Sequence, residues 1–208
     1  MPEIAVSILD VNVLRISRVL DKLDALGVRR IHLDIIDTSF APNISFGPAF
    51  VNAVTETDFE FELHMMVGDT LPILQQIDLS KVSNIAVHSG VDKVKNFIRE
   101  KGSSYGLQHE ICVGHAMSPG CATLEACADY ALVMTVQPGF GNQKFISRSA
   151  SRIQSLAHIK VGVDGGINTS NISQVKAADY VVVGSAITRA PDMEEAYRQL
   201  QAAMADYD

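Results

Sequence analysis

Apolar, strand-like runs begin near Ile4, Arg30, Phe59, Val82, Glu110, Tyr130, His158 and Tyr180, with polar or amphipathic stretches between them. The first interval sets the pattern. Ile4 to Leu9 reads as a strand, then Leu14, Val19, Leu20, Leu23 and Leu26 recur at helical spacing until Gly27 stops the helix. Later intervals repeat it less cleanly: a short helix on Leu71, Leu74 and Ile77, another over 91–101, a very short one over 122–128, one over 168–177 and a closing one over 193–204. Residues 37–48 are too rich in turn formers to be helical. Eight strands alternating with helices, with no linker or low-complexity segment, predict an α/β fold of the (β/α)8 TIM-barrel kind rather than an open doubly wound sheet. Residues 1–208 are read as one domain, short for that fold and so built from compact helices and loops.

In such a barrel the C-terminal ends of all strands converge on one face, which brings distant segments together. Arg30-Ile31-His32-Leu33-Asp34-Ile35-Ile36-Asp37 then becomes the central stretch. Side chains alternate along a strand, so His32 and Asp34 share one side while Ile31, Leu33 and Ile35 share the other. Two more apolar runs, Phe61 to Met66 and Val161 to Gly166, end on His64 and Asp164. His32, Asp34, His64 and Asp164 together offer a complete ligand set for a borderline divalent ion. Glu62 shares a face with His64, and either hydrogen-bonds a ligand or makes an interior salt bridge.

Three glycine-bearing turns follow late strands: Pro138-Gly139-Phe140-Gly141-Asn142, Asp164-Gly165-Gly166-Ile167-Asn168 and Gly184-Ser185-Ala186. Glycine lets a backbone approach a ligand and aim N–H groups at it, and barrels often hold a phosphate after strands seven and eight. This matters because the net charge is -7 with no dense Lys/Arg patch, which argues against nucleic acid or a membrane as partner. Backbone amides can hold an anion without a basic side chain. With 47% hydrophobic and 20% charged residues, no membrane-length apolar run and no signal-peptide pattern, a soluble cytoplasmic protein is expected. Cys112, Cys121 and Cys127 lack metal-type spacing and are expected as reduced thiols.

Taken in order, Ser7-Ile8-Leu9, His32 to Ile35 with Phe40 and Pro42-Asn43, Leu63 to Val67, Val133 to Val136 running into Pro138 to Gly141 and Gln143-Lys144-Phe145, Val163 to Gly166, and Gly184-Ser185-Ala186 resemble the ribulose-phosphate 3-epimerase family along the whole chain. The resemblance implies a ribulose-phosphate-binding barrel that interconverts D-ribulose 5-phosphate and D-xylulose 5-phosphate. It also implies a divalent metal, Zn2+ by preference with Fe2+, Mn2+ or Co2+ as alternatives, on His32, Asp34, His64 and Asp164. Inverting C3 of a ketose requires removing a proton beside the C2 carbonyl and returning one to the opposite face. Asp34 and Asp164 would carry the two transfers, and the metal would stabilise the enediolate as a Lewis acid. Ser7, His64, Met66, Met134, Gly139, Gly141, Gly165, Gly166, Gly184 and Ser185 would contact the substrate, the methionines as an apolar wall. The partner would be a small sugar phosphate, and the chain a homo-oligomer.

The chain departs from the family at Ile36, Thr38, Gly90, Ser118, Gln137 and Asn142, where Met, Gly, Glu, Asn, Asn and Gly are usual. These positions leave the reaction class intact and leave open another sugar, such as allulose 6-phosphate. A barrel that has lost activity and only binds is the other alternative. The orotidine-monophosphate-decarboxylase type would need Asp-x-Lys-x-x-Asp, and Ile36 stands where its lysine would be.

Overall fold

In a computed structural model that describes residues 2–88, 92–109, 128–156 and 158–205, eight parallel strands close into a barrel in sequence order. They are β1 (Glu3–Ser7), β2 (Arg30–Ile36), β3 (Glu60–Met66), β4 (Val82–Val87), β5 (Ser104–His109), β6 (Tyr130–Met134), β7 (Lys160–Asp164) and β8 (Tyr180–Val183). The α-helices among the described residues are α1 (Ile16–Ala25), α2 (Pro48–Val54), α3 (Leu71–Leu74), α4 (Asp92–Glu100), α5 (Ala150–Ser155), α6 (Ser185–Thr188) and α7 (Met193–Ala205). None is long and apolar enough to cross a membrane.

Alternation along each strand divides the apolar side chains into two cores. Outward-facing Val6, Ile31, Leu33, Leu63, Ile85, Val163 and Val181 are buried against the helices, meeting Leu20 and Leu23 of α1 and Leu200 of α7 in one cluster. The inward set is small: Ala5, Ala86, Tyr130, Leu132, Tyr180 and Val182. Two tyrosines fill that interior because strand register sets a glycine beside each. Gly106 pairs with Tyr130 and Gly162 with Tyr180. A Cβ on Gly106 would stand 2.2 Å from Tyr130 Cζ, and one on Gly162 would stand 2.1 Å from Tyr180 Cζ. Large residues facing small ones give a dense interior without strain.

Three expectations are corrected. The fifth strand begins at Ser104, six residues before Glu110. Its Gly106 weakens the apolar signal, yet the ring of Tyr130 requires that glycine. The helix expected over 168–177 shrinks to a 3-10 turn, Ile172–Val175. Asn168 Oδ1 accepts from the backbone N and hydroxyl of Ser170, while Asn171 Oδ1 accepts from Asn168 N and its Nδ2 donates to Gly166 O. Those side-chain bonds compete with a helical ladder. Leu14 is 90% exposed rather than part of the apolar stripe, because Asn12 Oδ1 caps a 3-10 turn at Val13–Arg15 before α1 starts. The helices expected on Leu71 and Leu74, over 91–101 and over 193–204 appear as α3, α4 and α7, Gly27 ends the first at φ 75°, and α2, α5 and α6 are additional to those expected. All but the last residue of the short helix expected over 122–128, together with Cys112, Cys121, Cys127, Gly90 and Ser118, lie outside the described residues.

Candidate active site

Parallel register between β2 and β3 builds the site in rows. Arg30 pairs with Glu60, His32 with Glu62 and Asp34 with His64, all pointing inward. The lowest row closes the bottom of the barrel: Arg30 Nη2 lies 3.2 Å from both Glu3 Oε2 and Glu60 Oε2. In the middle row His32 Nδ1 and Glu62 Oε2 are 3.0 Å apart, and Tyr180 Oη donates to the other carboxylate oxygen of Glu62. The upper row opens towards the C-terminal ends of the strands. There Asp34 Oδ1 lies 3.1 Å from His64 Nδ1 and 3.3 Å from His32 Nε2, and Asp164 Oδ2 lies 3.4 Å and 3.7 Å from the same nitrogens. One ligand atom from each of His32, Asp34, His64 and Asp164 lies within 4.8 Å of the others, and all four residues are buried.

His32 Nε2 is buried and has no hydrogen-bond partner, although two carboxylates face it. Orphaned buried nitrogens are rare in folded proteins and call for a reason. With Nδ1 taken by Glu62, Nε2 is the atom this ring turns to the centre. Three carboxylates, Asp34, Asp164 and Glu62, stand around two imidazoles, and with the imidazoles neutral, as ligation requires, a divalent cation would offset two of the three negative charges. The quartet could therefore hold a divalent metal through two imidazole nitrogens and two carboxylate oxygens.

The same charges displace the protonation equilibria. Burial opposes charge on His32, but Asp34, Glu62 and Asp164 outweigh it and hold the imidazole well above its ordinary range. His64 is likewise pushed up to about 9 by Asp164 and Asp34 against the effect of burial. Burial would raise the Asp34 carboxyl, yet the adjacent His32 and His64 hold it far below the usual carboxylate range. Ser7 Oγ donates to Asp34 Oδ2 at 2.9 Å and so fixes the carboxylate plane.

Above the quartet lies a cleft open towards the C-terminal ends of the strands. Ser7, Asp34 and Asp164 line it with Met66 and Met134, and so do Gly139, Gly141, Gly165, Gly166, Gly184 and Ser185. His64, buried below, reaches the same centre through Asp34 and Asp164. The turns pack closely: a Cβ on Gly166 would meet Phe145 N at 2.8 Å, and one on Gly165 would meet Val136 Cγ2 at 2.3 Å. Both have φ in the left-handed region, at 66° and 116°.

A family model, the ribulose-phosphate 3 epimerase family, matches residues 3–188. The chain belongs to the ribulose-phosphate 3-epimerase family. The ribulose-phosphate 3-epimerase of Encephalitozoon cuniculi (strain GB-M1) is 40% identical over 205 residues, covering 95% of this chain and 92% of that protein. That of Aquifex aeolicus (strain VF5) is 31% identical over 198 residues, 86% of each. Membership assigns the chain to the carbohydrate epimerases, a class of isomerase. Among solved structures, 3-hexulose-6-phosphate synthase from Salmonella typhimurium superposes with a TM-score of 0.68 at 18% identity, over 99% of this chain and 100% of that one. Orotidine 5'-monophosphate decarboxylase from Sulfolobus solfataricus does so with 0.64 at 14%, over 99% of each. These two share the barrel fold.

Against the epimerase pattern, the departure at Asn142 has a structural explanation. Its φ is 54°, and Asn is the residue that best replaces glycine in that region. Sequence reasoning left several contributors without a role. Thr135 donates its backbone N to Asp164 O at 2.8 Å and its hydroxyl to Asp164 O at 3.0 Å, which locks the end of β7. Asn43 Nδ2 donates to Gly139 O at 2.8 Å, joining the loop after β2 to the loop after β6. Asp10 lines the cleft, pairs with Arg189 at 3.1 Å and occupies the space a Gly141 side chain would need. Glu62 hydrogen-bonds His32 on the neighbouring strand rather than His64 on its own. Strand register, which sequence alone does not set, is the signal that finds it.

Proposed function

We propose that this chain is a metal-dependent ketose-phosphate 3-epimerase that interconverts D-ribulose 5-phosphate and D-xylulose 5-phosphate. The observation that carries the reading is His32 Nε2, buried, without a hydrogen bond, and set 3.3 Å and 3.7 Å from the carboxylates of Asp34 and Asp164, both of which line the cleft. His32, Asp34, His64 and Asp164 would hold the ion, with zinc the best match to two imidazoles and two carboxylates. A bound divalent ion would supply Lewis acidity to the oxygens at C2 and C3 of the ketose.

Asp34 on β2 and Asp164 on β7 stand three strands apart around the barrel, so they approach a sugar in the cleft from different sides. One carboxylate would take the C3 proton from one face, and the other would return a proton to the opposite face, which inverts the centre. Ser7 would hold Asp34 in line through its 2.9 Å hydrogen bond. Met66 and Met134, both buried, would give the reacting carbons an apolar wall that limits access of water to the carbanion-like species. The turns at Gly139, Gly141, Gly165, Gly166, Gly184 and Ser185 would receive the phosphate, whose remote binding positions C3. The reading includes a homo-oligomer; among the described residues Val13, Leu14, Ile44 and Phe140 are large apolar side chains exposed on this chain.

The test is a panel of pentulose and hexulose phosphates assayed with purified protein, as isolated, after chelation and after Zn2+ is restored. The reading predicts about one divalent ion per chain, fastest turnover of ribulose 5-phosphate, and loss and recovery of activity with the metal. Full activity in protein shown by elemental analysis to be metal-free would refute the metal-dependent mechanism.

A further inference from the structure

Glu62 is 0% exposed in the barrel interior, with His32 and Asn84 beside it on the neighbouring strands and Tyr180 across from it. A buried carboxylate is costly unless each oxygen has a partner. Here both do. Oε2 meets His32 Nδ1 at 3.0 Å, Oε1 accepts from Tyr180 Oη, and Tyr180 is itself wedged in place by the absence of a side chain at Gly162. Below, the guanidinium of Arg30 lies 5.5 Å from the centre of the Tyr180 ring, and Lys160 Nζ lies 5.9 Å from it. A column thus runs up the barrel axis from the cations at its foot through Tyr180 and Glu62 to His32. It ends at Nε2, the unpartnered nitrogen that faces Asp34 and Asp164.

We propose that Glu62 and Tyr180 are positioning residues for the metal centre: Tyr180 holds Glu62, and Glu62 accepts a hydrogen bond from His32 Nδ1–H so that Nε2 is presented as a ligand. The inference rests on the metal-binding reading above. A carboxylate accepting from Nδ1–H fixes the imidazole tautomer, restrains ring rotation and makes Nε2 a stronger donor. His64 enters the site differently, turning Nδ1 rather than Nε2 to the same centre. The alternative, a buried polar cluster that only stabilises the barrel, predicts that its loss lowers stability and leaves the metal's affinity and electronic environment alone.

The experiment uses chelator-stripped full-length protein titrated with Co2+ or Zn2+, comparing wild type with Tyr180→Phe and Glu62→Gln. Affinity and the visible absorption of bound Co2+ are read alongside circular dichroism. Losing such an outer partner of a ligating histidine typically costs ~10–100-fold in metal affinity. Glu62→Gln should fall in that range and Tyr180→Phe nearer its lower end, each with a changed Co2+ spectrum and an intact fold. Wild-type affinity and spectrum in both variants would overturn the inference while leaving the metal site standing. If wild type itself takes up no metal, the metal reading fails and this inference with it. Should Glu62→Gln not fold, Tyr180→Phe decides alone, because it removes a single oxygen atom from a ring that otherwise stays in place.

Discussion

Ser7 and Asp34 lie in neighbouring strands with the Ser7 hydroxyl donating to Asp34 Oδ2 at 2.9 Å, which leaves Oδ1 to face both imidazoles. The two oxygens of one carboxylate are therefore held in different roles. Removing the hydroxyl in Ser7→Ala should lower kcat/KM by ~10–100-fold, since a hydrogen bond to a charged group contributes about 1.5–3 kcal/mol. Metal content should stay at the wild-type level, because Oδ1 and the other three ligands are untouched. Elemental analysis beside the kinetics separates the two effects, and a Ser7→Ala protein that has lost its metal would contradict this division of roles.

The register that sets a glycine beside each interior tyrosine makes a stability prediction. In Gly162→Ala the new Cβ would lie 2.1 Å from Tyr180 Cζ, so the ring must move. Overpacking of this kind costs about 1–3 kcal/mol. At Gly47 a Cβ meets nothing within 4 Å and φ is -104°, so Gly47→Ala should change stability by no more than ~0.5 kcal/mol. Urea unfolding of both variants checks the contrast. Equal midpoints would mean that the interior yields more easily than its geometry indicates.

The protonation of His64 predicts how metal uptake depends on pH. In metal-free protein its pKa is pushed up to about 9 from 6.5, so at neutral pH the imidazole carries a proton that a ligating nitrogen must lose. Metal binding should release that proton. The apparent affinity for Zn2+ or Co2+ should rise about tenfold per pH unit per proton displaced, and the share of that rise due to His64 should end near pH 9. Because the folded value is the raised one, this group stabilises the metal-free fold fully below 6.5, and that contribution is lost as pH rises through about 9. Calorimetry in buffers of different ionisation enthalpy counts the protons. An affinity unchanged between about pH 6 and about pH 8.5 would mean that His64 is already neutral.

How much of this was legible in the chain follows from the range over which each signal acts. The barrel was legible because apolar alternation and helical spacing are local and recur. His32, Asp34, His64 and Asp164 stood out because each closes or interrupts an apolar run, which a strand tolerates only when the polar group has partners. The start of β5 was hidden by Gly106, whose purpose lies in Tyr130 on the next strand. The bond from Glu62 to His32 rather than His64 was hidden for the same reason: it depends on register between β2 and β3, and no spacing within one strand encodes it. Asp10 and Thr135 act through contacts with the turn at Gly141 and the backbone at Asp164, which meet only in the closed barrel.

The proposed role of the glycine turns in holding phosphate predicts a strong dependence on the substrate's charged end. If Gly141, Gly166 and Ser185 hold the anion by their backbone, ribulose lacking its phosphate should lose kcat as well as affinity, because remote binding energy is used to place the reacting carbon. Comparison of kcat/KM for ribulose and ribulose 5-phosphate on the same preparation tests this. Equal values would remove the phosphate from the recognition scheme.

The division of labour between Asp34 and Asp164 bears most directly on mechanism. Both carboxylates face the cleft from different strands, and inversion at C3 needs a proton carrier on each face. Asp34→Asn or Asp164→Asn should therefore abolish epimerisation. General acid–base contributions are worth ~10²–10⁴-fold, and any loss of metal adds to that, so metal content must be measured with the rate. The two variants are expected to differ in what survives. Where the remaining carboxylate can still take and return a proton on its own face, the variant should exchange the C3 hydrogen of one epimer with deuterated solvent while forming none of the other. Asp164→Asn should retain exchange of the epimer whose C3 hydrogen faces Asp34, and Asp34→Asn that of the opposite one. A metal-replete Asp164→Asn protein that epimerised at close to the wild-type rate would leave Asp164 as a ligand alone and assign the second proton transfer to another group.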